Sequence, residues 1–257
     1  MGHFPYICNL FFKPMNTSTR HEMSLAVNHI SVDCVVLGFD GEQLRVLLLK
    51  RVGEPGGQEF GDMKLPGDLI YTDENLDDAA KRVLRELTGM SNINLLQYKA
   101  YGSKDRITTK DMKWLEQTTR VRVERIVTIA YLSLLRISRQ LAAPPVGNEV
   151  RWVGLDELGT LAFDHNILIH DAIEAVRRHT DIDPSYLFNL LPHKFTLLQL
   201  RTLYERIYGK AQDVRNFHKK ISQLDYVVAL DEHEQGVAHR AARLYRFDRK
   251  LFRRARR

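Results

Sequence analysis

Between Leu65 and Met90 the sequence reads LPGDLIYTDENLDDAAKRVLRELTGM, and it gathers the residues best suited to chemistry. Asp68, Glu74 and Glu86 are carboxylates, and Arg82 is a guanidinium among them. Carboxylate oxygens are the hard ligands that magnesium prefers, and phosphoryl chemistry on a divalent metal clamps several oxygens at once. Glu74 and Glu86 alone are thin support for such a site. Arg82 and Glu86 are therefore expected to form an internal ion pair or a helix-surface contact. A second set of residues is basic. In DVRNFHKKISQL, Arg215, His218, Lys219 and Ser222 share one face at 100° per residue. That face suits base edges and phosphates in a DNA groove. His239 and Arg240 follow in a polar loop, where phosphate or minor-groove contact is expected.

The elements that must position the first set follow from apolar spacing. Leu76, Ala79, Ala80, Val83, Leu84 and Leu87 recur at helical spacing, which predicts a helix over 76–88. Asn75 stands at its N-cap, Asp77 and Asp78 put negative charge on its first turn, and Gly89 stands where a helix-ending glycine belongs. The bland alternative is an ordinary amphipathic helix after a polar loop.

Upstream, Asn28 to Phe39 is rich in Val and Ile and predicts a strand. Asp40-Gly41 is a hairpin signal, and Leu44 to Leu49 predicts the return strand. The glycines of VGEPGGQEFGDMK lack phosphate-loop spacing. Downstream, Leu95 to Tyr101 predicts a strand, and ITTKDMKWLEQTTRVRVER a long loop or lid without clear periodicity. Strands are predicted over 126–135 and 149–153, a turn or short helix at 156–158, and a helix over 164–178. Ile167, Leu168, Ala172, Ala175 and Val176 are the apolar candidates of that helix.

The segment 183–193 reads as a linker, since Asp183-Pro184 starts a turn. Thr196 and Gln199 then form a capping box for a helix ending at Gly209, with Leu197, Leu200, Leu203, Tyr204 and Ile207 inward. Asp213 caps a second helix over 214–224, with Phe217, Ile221 and Leu224 on its inner face. A strand over 226–230, a polar loop over 231–241 and a strand over 243–247 complete the order of a winged helix-turn-helix. A small helical appendage is the bland reading of this module. The expected units are an N-terminal extension (1–23), a body (24–182), the linker (183–193) and a C-terminal module with a basic tail (194–257).

Composition bounds the function. With 257 residues, 44% hydrophobic and 27% charged, the chain suits a globular protein of one or two domains. Residues 191–257 hold 16 Lys and Arg against 7 Asp and Glu, while the first 190 hold 22 against 25. A basic module on a mildly acidic body suggests a polyanionic partner. Cys8 and Cys34 form no metal-binding pattern, and Cys34 reads as a buried thiol in a reducing, cytoplasmic setting. FPYICNLFF is too short to span a bilayer, so no membrane is expected.

The stretch from Leu65 to Met90 resembles the Nudix box, G-x5-E-x7-R-E-U-x-E-E-x-G-U, at Glu74, Arg82, Leu84, Glu86, Gly89 and Met90. Asp68 replaces its first glycine, and Val83 and Leu87 replace two glutamates that are magnesium ligands in the family. VDCVVLGFDGEQLRVLLLKR and LAFDHNILIHDAI look like the segments that bracket this box. KFTLLQLRTLYERIYGKAQDVRNFHKKISQLDYV and RAARLYRF resemble the C-terminal segment of Nudix-related transcriptional regulators, so the likeness covers about 27–248. Within that group, RVLRELTGM looks similar to the branch regulating sugar use in Bacteroidetes, while other members sense ADP-ribose.

The resemblance implies a Nudix-type α/β/α sandwich followed by a winged helix. It implies a regulator without metal or cofactor, whose partners are double-stranded operator DNA, a second copy of the chain and a small-molecule effector. An arabinose-like pentose is the favoured effector, with ADP-ribose beside it. Expected effector contacts, from strand ends and loops, are Lys50, Arg51, Lys64, Asp68, Glu74, Asp105 and Arg106. The alternatives are a Nudix hydrolase of a nucleoside diphosphate derivative such as ADP-ribose, and an inert interaction scaffold.

Overall fold

Both faces of the strand β1 (Asn28–Phe39) are apolar, and this puts it at the centre of a sheet. Val32, Cys34 and Val36 point to one side and Val35, Leu37 and Phe39 to the other, as the two-residue repeat of a strand requires. The computed structural model describes residues 28–51, 60–120, 122–137, 149–236 and 240–256. The expected extension, 1–23, lies outside them.

One edge of β1 runs parallel to β6 (Arg125–Arg136) along its whole length. Its other edge is shared. The first half pairs with β4 (Gly67–Leu69) and the second with β2 (Leu44–Lys50). Asp40 closes the β1–β2 hairpin by accepting from the amides of Glu42 (3.0 Å) and Gln43 (2.8 Å), with Gly41 at φ 108°. The strands β3 (Met63–Lys64), β5 (Leu96–Tyr101) and β7 (Val150–Gly154) complete the seven-stranded sheet.

Helix α1 (Leu76–Thr88) lays Ala79, Ala80, Val83 and Leu84 against the Val32–Cys34–Val36 side. Each buried valine or leucine there contributes about 1.5–3 kcal/mol. The bounds match the prediction, and Gly89 ends the helix at φ 74°. Asn75 stands at the N-cap but makes no capping bond; its amide reaches Asp78 at 3.2 Å. Helix α3 (His165–Ile182) covers the opposite face with Leu168, Ile169, Ala172, Ala175 and Val176. Ile167, expected inward, is 56% exposed, because only one stripe of the helix meets the sheet.

The segment after β5 departs from expectation. Thr109–Thr119 is not a loop but helix α2, opened by a complete capping box between Thr108 and Asp111. Its buried face holds only Asp111 and Leu115, with Trp114 half-buried, so apolar periodicity could not reveal it.

The winged helix continues the core of the sandwich. Residues 183–193 are no free connector: Pro184–Asn189 forms a 3-10 helix, and Leu187, Phe188, Leu190 and Leu191 are buried with α3. The Thr196–Gln199 capping box opens α4 (Leu197–Tyr208), and Gly209 ends it at φ 63°. Asp213 caps α5 (Val214–Ser222) by accepting from Asn216 N at 2.9 Å. The strands β8 (Phe195–Thr196), β9 (Val227–His233) and β10 (Arg243–Phe247) form the small sheet. The predicted loop over 231–241 is therefore strand as far as His233. The predicted basic tail begins as helix α6 (Arg249–Ala255), capped by Asp248 and anchored by buried Phe252, which meets Tyr226 and Phe247.

Candidate functional site

The end of β2, the β3–β4 turn, α2 and the start of α3 enclose a cavity of about 260 Å³. Its floor is polar. Asp33 on β1 accepts from the Thr128 hydroxyl at 2.7 Å. Arg106 Nη2 stands 3.8 Å and His165 Nε2 3.4 Å from its two carboxylate oxygens. His165 Nδ1 accepts from Leu65 N at 2.9 Å, which leaves the ring proton on Nε2, facing Asp33. Burial alone would raise the Asp33 pKa, but His165, Arg106 and Thr128 outweigh it and hold the carboxyl down at about 2. Gly67 makes the approach of β4 possible. A Cβ there would fall 1.9 Å from Asp33 Oδ1.

The wall is aromatic and cationic. Trp114 on α2 and Phe163 meet edge to face at 6.1 Å, and Phe163 stands 5.0 Å from the His165 ring. Phe163 holds φ 56°, a left-handed conformation that costs a bulky residue about 1 kcal/mol or more. Lys64 Nζ donates to Gly67 O at 3.0 Å and lies 5.3 Å from the Trp114 ring centre. Burial lowers the Lys64 pKa, and Asp33 and Asp68 oppose that shift. Arg106 holds its position through Asp164, at 3.1 and 2.7 Å. Cations beside aromatic faces, over a hydrogen-bonded floor, suit a ligand with both anionic and planar parts.

Of the expected effector contacts, Lys50, Lys64, Asp68 and Arg106 line this cavity. Three do not. Arg51 is fully buried beneath it, spent on Asp62 and Asp111. Glu74 accepts from Arg82 and from Tyr71 N. Asp105 is exposed in a turn. Sequence reasoning missed Asp33, Trp114, Phe163 and His165. The one available signal was Asp33, a lone carboxylate inside an apolar strand.

The box residues pair as expected. Arg82 donates to Glu74 at 2.7 and 2.9 Å, to Asp68 at 3.2 Å and to Glu86 at 3.4 Å. The Glu74 carboxylate, ahead of Asp68, raises the Arg82 pKa. Val83 is buried, Leu87 lines the cavity wall, and neither offers an oxygen. Among the described residues no group of three His, Cys, Asp or Glu could hold a metal ion. Among the described residues, the side chains at these two box positions offer magnesium no hard ligand.

On the C-terminal module, Arg215, His218, Lys219 and Ser222 are exposed on α5, opposite buried Phe217 and Ile221. The Ser222 hydroxyl is already bonded to Lys219 O at 2.8 Å. Arg240 is exposed before β10, while His239 lies outside the described residues. Beside α5, His218 shares a groove with Leu198, Val214, Arg243 and Tyr245.

Residues 27–173 match the NUDIX domain family, and residues 187–247 match the NrtR DNA-binding winged helix domain. The chain belongs to the NUDIX domain family. It carries the Nudix α/β fold with a C-terminal winged helix. The chain is similar to the ADPR responsive transcriptional repressor NtrR of Acinetobacter baylyi, 27% identical over 222 residues, 85% of this chain and 81% of the relative. Among solved structures, Shewanella oneidensis NrtR complexed with a 27mer DNA shares 25% identity at a TM-score of 0.63, covering 87% of this chain and 95% of that one. A MutT/nudix family protein from Enterococcus faecalis shares 26% identity at a TM-score of 0.57, covering 86% and 88%. Among the described residues no helix is long and apolar enough to cross a membrane.

Proposed function

We propose that this chain is a DNA-binding transcriptional repressor whose Nudix domain senses ADP-ribose. The carrying observation is the shared core. The Nudix cavity ends on α3, and α3 packs into the same apolar cluster as the helix-turn-helix. The likeness to the ADPR responsive repressor of Acinetobacter baylyi favours ADP-ribose over an arabinose-like pentose. The Lys64, Arg106, Trp114 and Phe163 lining supports the same choice, since it offers both cations and aromatic faces. Arg215, His218, Lys219 and Ser222 read the major groove, and Arg240 and His239 meet the backbone or minor groove. One small module binds weakly, so two copies of the chain are expected on a palindrome.

The test is operator binding with ADP-ribose or arabinose in the titration. ADP-ribose is expected to raise the melting temperature and to lower operator affinity by about 5–150-fold. If it binds but leaves operator affinity unchanged, it is not the effector. An arabinose response in its place restores the sugar reading.

A further inference from the structure

The junction between the two domains holds a second cavity, of about 380 Å³, remote from the Nudix cavity. Arg136, the last residue of β6, enters it from the Nudix side. Arg249, the first residue of α6, enters from the winged helix. Asn189, His193 and four apolar residues, Phe188, Pro192, Phe195 and Phe247, complete the wall. Arg249, Asn189 and Phe247 also line a neighbouring cavity, with Arg253, Arg256 and Asp183.

The buried Arg136 Nε has no hydrogen-bond partner. Neither Arg136 nor Arg249 forms an ion pair among the described residues. The nearby acids are committed elsewhere. Asp183 pairs with Arg256 at 3.4 Å, and Asp248 pairs with Arg246 at 3.0 Å while capping α6. The stretch 138–148, which follows Arg136 in sequence, contains no Asp or Glu. Burial, and then the charge of Arg249, lower the Arg136 pKa. Arg136 is half-buried and Arg249 exposed, so an anion reaching them from solvent would relieve the repulsion between the two.

We infer that this junction binds a phosphoryl oxyanion, held between Arg136 and Arg249. Guanidinium forks match phosphate oxygens in pairs, and their bonds to it are charge-assisted. The anion bridges the Nudix sheet to the winged helix, so its presence favours one arrangement of the two domains. A free phosphorylated ligand suits the position. β10 carries the chain away from the loop at Arg240, which sets Arg249 roughly 16 Å or more from it.

To test this, the full chain is melted in sodium chloride and in sodium phosphate of equal ionic strength, without DNA. Phosphate is expected to raise the wild-type melting temperature and to bind about tenfold more weakly in Arg136→Gln and in Arg249→Gln. In chloride both variants are expected to melt no lower than wild type, since each removes one of two like charges. A second arm follows operator affinity against salt. A slope reduced by about 1 per arginine replaced, without a response to free phosphate, assigns the phosphoryl group to the duplex backbone. An absent phosphate response with an unchanged slope overturns the inference, as does a phosphate response that both variants leave intact.

Discussion

The Arg51 guanidinium donates to Asp111 across 2.6 Å, from a side chain with no exposed surface. Its other nitrogens meet Asp62 at 2.5 and 2.8 Å. This pair fastens helix α2 to the end of β2, and α2 carries Trp114 into the Nudix cavity. Binding and stability therefore share one buried contact.

Asp111→Ala is expected to destabilise the chain by about 1–3 kcal/mol, because one buried Arg51 nitrogen loses its acceptor while Asp62 still holds the others, and α2 loses its capping box. The double variant Arg51→Met, Asp111→Leu should recover most of that loss. Urea unfolding of both measures the difference. Equal losses in the two would mean that packing and the lost helix cap, not the unmet guanidinium nitrogen, set the cost.

Asp33 governs stability in acid. Its folded pKa of about 2 lies below the ordinary value of 3.8, so the stabilisation is complete above about pH 4 and is lost as pH falls through 2. The contribution is roughly 2 kcal/mol. Unfolding of wild type and Asp33→Asn between pH 5 and pH 2 should show the gap between them closing. A gap independent of pH contradicts this assignment.

On the proposed reading, base recognition and backbone contact fall on different parts of the winged helix. Arg215→Ala should cost about 1–3 kcal/mol and relax preference at one position per half-site. Arg240→Ala should weaken all sequences alike and reduce the salt slope by about 1 per lost contact. Binding of both variants at several salt concentrations distinguishes these effects. Wild-type affinity and slope in both would make the basic face a solvated surface.

Hydrolysis of ADP-ribose with magnesium or manganese should be absent or slow, because Val83 and Leu87 supply no metal ligand. Turnover of about 1 per second or more would falsify the regulator-only reading and recast Glu86 as catalytic.

The elements most legible in the sequence were those whose apolar residues keep one period. Helices α1, α4 and α5 each carry such a stripe and a recognisable cap residue, and β1 is an apolar run closed by Asp40-Gly41. Helix α2 was hidden because its inward anchor is a charged residue, Asp111. Helix α6 was hidden because one phenylalanine among arginines reads as a solvated run. The cavity floor was least legible. Asp33 and His165 are brought together only by β4 pairing and the docking of α3, and neither sits in a local motif.

Helix α3 starts in the cavity with His165 and reaches the winged helix near its other end, where Arg177 Nε donates to Ile207 O at 2.6 Å. It is a lever. Its 18 residues span about 27 Å, so a tilt of about 5° at the His165 end would sweep the far end by about 2 Å. Displacement on that scale would be felt first at α4, where Ile207 lies. A shift of the Phe163–His165 turn would thereby reach the winged helix through a single helix.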